Sequence, residues 1–361
     1  MNHKENAFDI LRILLAVCVL ISHGLMIGGY SLQDPLLYFS KGQTDLAEFG
    51  VMGFFALSGF LIAASFERTN NIFVYLGHRA LRILPGYWVC LVITAFIFAP
   101  AIFYANGRSL HDFQFTGKDS SIDFVLNNWG LKIRQWGIKD VLNYSAYQGS
   151  LNGSLWSLYP ELQCYGFTLF AGLTGLLKKN KFLYLIFAVI FLAFFSINLN
   201  FSTNFGPTIF TLSPALKLYA TYVAGTLVYV FRDQLILDKR GALFLVAFTL
   251  VLLRFGGFKL ASPVLIAMNL INVFQLFEFK IRYDVSYGIY IYGFVVEQLL
   301  SALLGNRLNP ALFIVLALTA SATIGILSFA LVERPFMNLR KKIDKVVSRF
   351  SSPQMYVSRN S

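Results

Sequence analysis

A chain of 361 residues that is 57% hydrophobic and only 13% charged lacks the polar surface of a soluble domain, in which about a quarter of residues are charged. Its mean hydropathy of +0.62 points the same way. The net charge of +12 would suggest nucleic acid in a soluble protein, but here the basic residues sit between apolar runs, where they act as topology signals and contacts with anionic lipid. The expected partner is therefore the lipid bilayer, and no nucleic acid is expected.

A membrane helix needs about 20 mostly apolar residues. In chain order the candidates are 8–29, 47–66, 81–104, 154–177, 182–199, 208–231, 241–257, 259–278, 285–304 and 309–332. The first is longer than the apolar core of a signal peptide and no small-x-small site follows it, so it reads as a retained span. The seventh and eighth are separated only by Gly256, Gly257 and Lys259 with the intervening Phe258, and a re-entrant pair is the alternative there. The segment 105–150 is the longest loop and mixes Phe113, Phe115, Trp129 and Trp136 with charges. It reads either as interfacial helices over the mouth of a cavity or as an ordinary loop with aromatic anchors.

With the N-terminus in the cytoplasm, the clusters Arg68, Arg79 and Arg82, then Lys178, Lys179 and Lys181, then Arg232, Lys239 and Arg240, all fall on the cytoplasmic side with the basic tail. That bias predicts an all-α integral membrane protein of about ten transmembrane helices with both termini cytoplasmic. It divides into a polytopic membrane domain over 1–335 and a basic tail over 336–361, in which Arg340, Lys341, Lys342 and Lys345 recur at helical spacing and suit a lipid surface. No internal repeat is visible. Cys18, Cys90 and Cys164 lie in apolar stretches without metal or redox spacing and read as small hydrophobes. No metal-ligand cluster is present, and His3, His78 and His111 are scattered outside the predicted core.

Arg12 and His23 stand 11 residues apart in the first span, about 3.06 turns, so both face nearly the same way about 16 Å apart along the axis. Asp9 can pair with Arg12 one turn on. An arginine so near a helix start can also snorkel as a plain anchor. His23 is too deep to snorkel. Ionisable groups at that depth tend to line cavities and do work, and histidine is suited to moving a proton near neutral pH; packing against a neighbouring polar group is the alternative. Glu161 in the fourth span and Glu297 in the ninth are buried acids that can accept a bond from His23 or from a hydroxylated ligand, or pair with a neighbouring helix. Around Glu161, Trp156, Tyr159 and Tyr165 offer ring faces and hydroxyls suited to a sugar. Arg79 and Arg82, three residues apart in HRALRILPGYW, can hold phosphates with two guanidinium forks or serve as positive-inside anchors.

These pieces, in this order and over nearly the whole chain, resemble the acyltransferase-3 family of membrane O-acyltransferases, which includes enzymes that O-acetylate bacterial surface polysaccharides. The residues that carry the resemblance are FDILRILLAVCVLISHG with its R-x10-H spacing, GVMGFFALSGFLIAAS, RALRILP, GSLWSLYPELQCYG and LVERPF. The family's frequent Y-L/I-x-H in the ninth span is here Tyr290-Ile-Tyr-Gly293, which puts a two-histidine mechanism in doubt. The hydrolase-like domain fused to some members is not expected.

The resemblance implies acyl-CoA, most often acetyl-CoA, as a donor substrate rather than a permanently bound cofactor, and a carbohydrate acceptor at a multi-pass site in the cytoplasmic (inner) membrane. It implies that Arg12, Arg79 and Arg82 hold the CoA phosphates and that the pantetheine arm runs along the first helix toward His23. His23 would act as general base or briefly carry the acyl group. Glu161 would orient His23 or the acceptor, and Trp156, Tyr165, Glu297 and Ser58 would contact substrate, with Ser58 or an amide near Gly59 as oxyanion donor. A transporter or flippase of lipid-linked sugar is the alternative function, and a silent scaffold is a third.

Overall fold

The computed structural model describes residues 7–69, 71–205, 214–279, 281, 284–304 and 307–340, with the side chains of 200–205 excepted. Every regular element longer than one turn among them is helical. Ten long helices follow in chain order. They are α1 (Phe8–Ile27), α2 (Leu46–Thr69), α3 (Ile72–Ile93), α4 (Leu158–Leu173), α5 (Lys181–Phe205), α6 (Pro214–Val230), α7 (Lys239–Phe255), α8 (Phe258–Gln275), α9 (Ser286–Leu304) and α10 (Pro310–Ser328).

Each overlaps one of the ten apolar runs. Seven, with the extensions of α3 and α10, are long and apolar enough to cross a membrane. The other three, α4, α6 and α7, are shorter, with 16, 17 and 17 described residues.

Local sequence sets the helix boundaries. Asn71, Asp238 and Asn309 cap α3, α7 and α10 by accepting from backbone N–H groups of the first turn, and Pro310 follows its cap directly. Gly256 (φ 120°) and Gly257 (φ 95°) turn α7 into α8 through backbone that glycine adopts at little cost. The two helices, of 17 and 18 residues, pack on each other.

Both α3 and α10 continue past a π-helical turn, Thr94–Phe98 in the first case and Phe329–Glu333 in the second. A proline follows each turn, Pro100 and Pro335. A proline inside a helix removes one N–H donor and crowds the carbonyl four residues back. That carbonyl belongs to Phe96 in α3 and Leu331 in α10, both within the π turns, and the wider turn relieves the crowding. The second extension ends in a helix over Arg334–Asn338, which spans the expected domain boundary at 336. Arg340 then donates to the His78 carbonyl on α3 (3.1 Å). Residues 341–361, with Lys341, Lys342 and Lys345, lie outside the described residues.

At the centre α2 packs against α1, α4, α6 and α8, while α1 also packs against α9 and α9 against α10. Two of these contacts bring backbone against backbone. Gly59 and Gly225 abut the Tyr222 and Ala56 carbonyls across α2 and α6, and Gly288 abuts Gly325 across α9 and α10, so a Cβ fits at none of Gly59, Gly225 and Gly288. Close approach through small residues gains dispersion where lipid offers no hydrophobic drive.

The loop 105–150 is folded rather than extended. It holds one α-helix, Ser121–Asn128, capped by Ser120, and buries Phe113, Phe124, Leu131, Ile138, Val141 and Leu142. Trp129 and Trp136 are half exposed, and Trp129 stacks on Trp88 of α3 (4.7 Å, 9°). Gln298 of α9 donates to the Tyr147 and Ser150 carbonyls (3.1 and 2.8 Å), and Asn152 donates to the Ile291 carbonyl (2.8 Å). The segment is thus fastened to α9.

Candidate active site

Two cavities lie side by side along α1, α2 and α9. The first, of about 90 Å³, is lined by Arg12, Arg79, Arg82, Ser58, Glu161 and Tyr165 among apolar residues of α2 and α9. The second, of about 440 Å³, is lined by His23, Asp45, Glu48, Ser154, Trp156 and Lys217 among others. Among the described residues, Val51 and Tyr290 alone line both.

The arginine cavity gathers three cations from two helices. Arg12 of α1 donates to Asp9 (3.0 Å) and to Asp284 (3.2 Å), and Arg82 of α3 donates to the same Asp284 oxygen (2.9 Å). The other Asp284 oxygen accepts from the backbone N–H and hydroxyl of Ser286 (3.2 and 2.5 Å). Burial alone raises the Asp284 carboxyl, but the guanidinium groups of Arg82 and Arg12 outweigh it and hold the group well below the usual carboxylate range. Arg79, one turn before Arg82, donates to Ser65 (2.7 Å) and lies over the rings of Tyr75 and Tyr165 (5.9 Å each). Glu161 accepts from Tyr165 (2.5 Å) and Ser58 (3.4 Å). Three guanidinium forks around one small space form an anion-binding arrangement.

The histidine cavity is roomier and built otherwise. His23 sits edge-to-face against Phe294 of α9 (5.0 Å, 72°), and Tyr147 of the 105–150 segment packs edge-on against the same ring (5.9 Å). Lys217 of α6 is ion-paired with Glu48 of α2. An imidazole, carboxylates and an indole ring around open space provide a proton acceptor, hydroxyl acceptors and a stacking face, the set that a polyhydroxylated ligand uses.

The candidate residues are therefore partitioned. Arg12, Arg79, Arg82, Glu161, Tyr165 and Ser58 come together in one cavity, and His23 and Trp156 in the other. Glu161 lies with the arginines rather than beside His23. Glu297 lines neither cavity. It is fully buried, its carboxyl faces Gly24 of α1, and neither of its oxygens has a hydrogen-bond partner among the described residues. Gly293, where the family often has histidine, faces Leu20 and Ser321. Gly59 faces α6 from within α2, where a backbone amide is taken by the helix itself.

Asp284, Glu48 and Asp45 escaped the reading of the sequence. The first two did leave a signal. Asp284 is an acid at the foot of a span, and Lys217 is an intramembrane lysine that calls for a carboxylate partner.

The family described as an acyltransferase domain matches residues 5–332. An "O-acetyl transferase" of Shigella phage Sf6 is 28% identical over 349 residues, covering 93% of this chain and 97% of that protein. "Nodulation protein 10" of Rhizobium leguminosarum bv. viciae is 26% identical over 376 residues, covering 95% of each. No solved structure matches. With the all-helical architecture, the paired cavities and a match that runs through both of them, the chain belongs to the acyltransferase-3 family.

Proposed function

We propose that this protein is a multi-pass O-acyltransferase of the cytoplasmic membrane, with ten spans and both termini inside, that moves an acetyl group from acetyl-CoA to a hydroxyl of a cell-envelope carbohydrate. The observation that carries this reading is the meeting of two chemically opposite cavities at a single shared wall. A polyanionic donor suits the arginine side, and a neutral, hydroxyl-rich acceptor suits the side with His23 and Trp156. The name of the phage relative supports the same chemistry.

In this mechanism Arg12, Arg79 and Arg82 take CoA phosphate, with Asp284 holding two of the three forks in place. The acceptor oxygen attacks the thioester carbonyl while His23 takes its proton. A C–O bond forms, the C–S bond breaks, and the departing thiolate receives the proton. A sugar hydroxyl is a weak nucleophile at neutral pH, so the base is needed. Glu161 and Ser58, on the donor side, orient the thioester.

The test is mass spectrometry of surface glycan from a deletion strain and from the same strain complemented. Full-length glycan that lacks one acetyl mass in the deletion, restored on complementation, is the expected result. Loss of the glycan itself would mean transport of a lipid-linked sugar and would overturn the proposal.

A further inference from the structure

The wall between the two cavities is made of few atoms. Tyr290 of α9 and Val51 of α2 are the two residues common to both linings. The Tyr290 ring is buried and held from two directions. Its hydroxyl and that of Ser157, just before α4, are 2.7 Å apart, and Phe54 of α2 meets it edge-to-face (5.5 Å, 65°). Ser157 lines the arginine cavity, and its neighbour Trp156 lines the histidine cavity. The partition is therefore pinned to three helical elements at once.

On the acyl-transfer reading, the sulfur approaches from one side of this wall and the acceptor oxygen from the other. The carbonyl carbon must then sit at the wall itself. Of its two remaining substituents, the carbonyl oxygen and the acyl tail, the tail is the one that meets the apolar wall of the Tyr290 ring, Val51 and Phe54. A methyl group fits beside a packed ring. A chain of several methylenes requires the ring to leave, which breaks its bond to Ser157 and its packing on Phe54.

We infer that Tyr290, backed by Val51, is the acyl-chain selector of this enzyme and restricts the donor to short acyl-CoA thioesters. The inference rests on the acyltransferase reading and goes beyond it by assigning chain-length specificity to one side chain.

Membrane vesicles from a deletion strain expressing each variant, supplied with labelled acetyl-CoA or hexanoyl-CoA, test it. Label transferred to the strain's own glycan is quantified. A hydrophobic pocket discriminates by about 10–200-fold per methylene, so the wild type is expected to prefer acetyl by about 100-fold or more. Tyr290→Ala lowers that preference below about tenfold. Tyr290→Phe keeps the ring and the selectivity but loses rate several-fold. Val51→Ala, a milder change that retains the Ser157 bond, relaxes the ratio about threefold and keeps the question answerable should Tyr290→Ala accumulate poorly. Wild-type ratios in both Tyr290→Ala and Val51→Ala would overturn the inference, as would a wild type that uses both thioesters equally. A wild type that transfers neither overturns the acyltransferase reading, and this one falls with it.

Discussion

The two cavities share helices, yet they solve different electrostatic problems. The arginine cavity packs three guanidinium groups around about 90 Å³ and ties two of them to one carboxylate. The histidine cavity spreads about 440 Å³ among an imidazole, an indole and a lysine already spent on Glu48. Cations kept together in a membrane protein need a counterion until a ligand arrives, because isolated buried charge is costly. A site for a neutral ligand needs volume and a few directed polar atoms instead. The comparison assigns binding of charge to one side and movement of a proton to the other, and variants can attack each half separately.

His23→Ala should have the largest effect. Loss of a general base costs about 10²–10⁴-fold, and turnover should fall by about that factor while the KM for acetyl-CoA and the protein level stay near wild type. A change confined to donor KM would erase the division between the cavities. Arg82→Ala should act in the opposite manner. Hydrogen bonds to charged groups contribute about 1.5–3 kcal/mol, so donor KM should rise about 10–100-fold with acceptor KM unchanged. Steady-state kinetics with each substrate varied in turn reads both.

Asp284→Asn sharpens the comparison through stability. It weakens charge-assisted bonds to Arg12 and Arg82 and should cost about 2 kcal/mol, seen as a lower thermal unfolding midpoint in detergent. The folded-state pKa of Asp284 is depressed. Its contribution is therefore complete above the ordinary carboxylate value of about 3.9 and disappears as pH falls through the folded-state value. The gap between wild type and variant should be constant near neutrality and should close in strong acid.

Glu297→Gln should have the smallest effect, within about threefold in transfer rate, since no hydrogen bond is lost. A large loss would place Glu297 in the chemistry of the histidine side after all.

How much of this was legible depends on the kind of interaction. The helices were, because apolar runs and the Gly256–Gly257 turn are local features, although α3 starts at Ile72 behind the Asn71 cap, well before the expected run at 81. Arg12 and His23 were also legible as odd residues on one helix face, since helical phase is arithmetic. Their separation into two cavities was not. It is made by Val51 and Tyr290, apolar or weakly polar residues of two other helices, and nothing in their own neighbourhoods marks them. Glu161 was read toward the acceptor because it lies near Trp156 in sequence. The 3₁₀ turn Gly153–Ser157 runs into α4 at Leu158 and leaves the two on opposite sides of the wall.

The glycine contacts described for the fold decide which parts of the site can yield. Across α2 and α6, and again across α9 and α10, backbone meets backbone, so these pairs behave as rigid blades. On α3 and α4 the corresponding glycines meet side chains, Gly86 against Tyr287 and Glu333 and Gly172 against the Phe66 ring, which can shift more readily than backbone. The arginine cavity is bounded by α3 and α4 as well as by α1, α2 and α9. Helices α3 and α4 carry Arg79, Arg82 and Glu161, whereas His23 rides on α1 between the blades. Two of the three arginines thus sit on helices packed through side chains, and His23 sits on a helix packed against both backbone-to-backbone pairs.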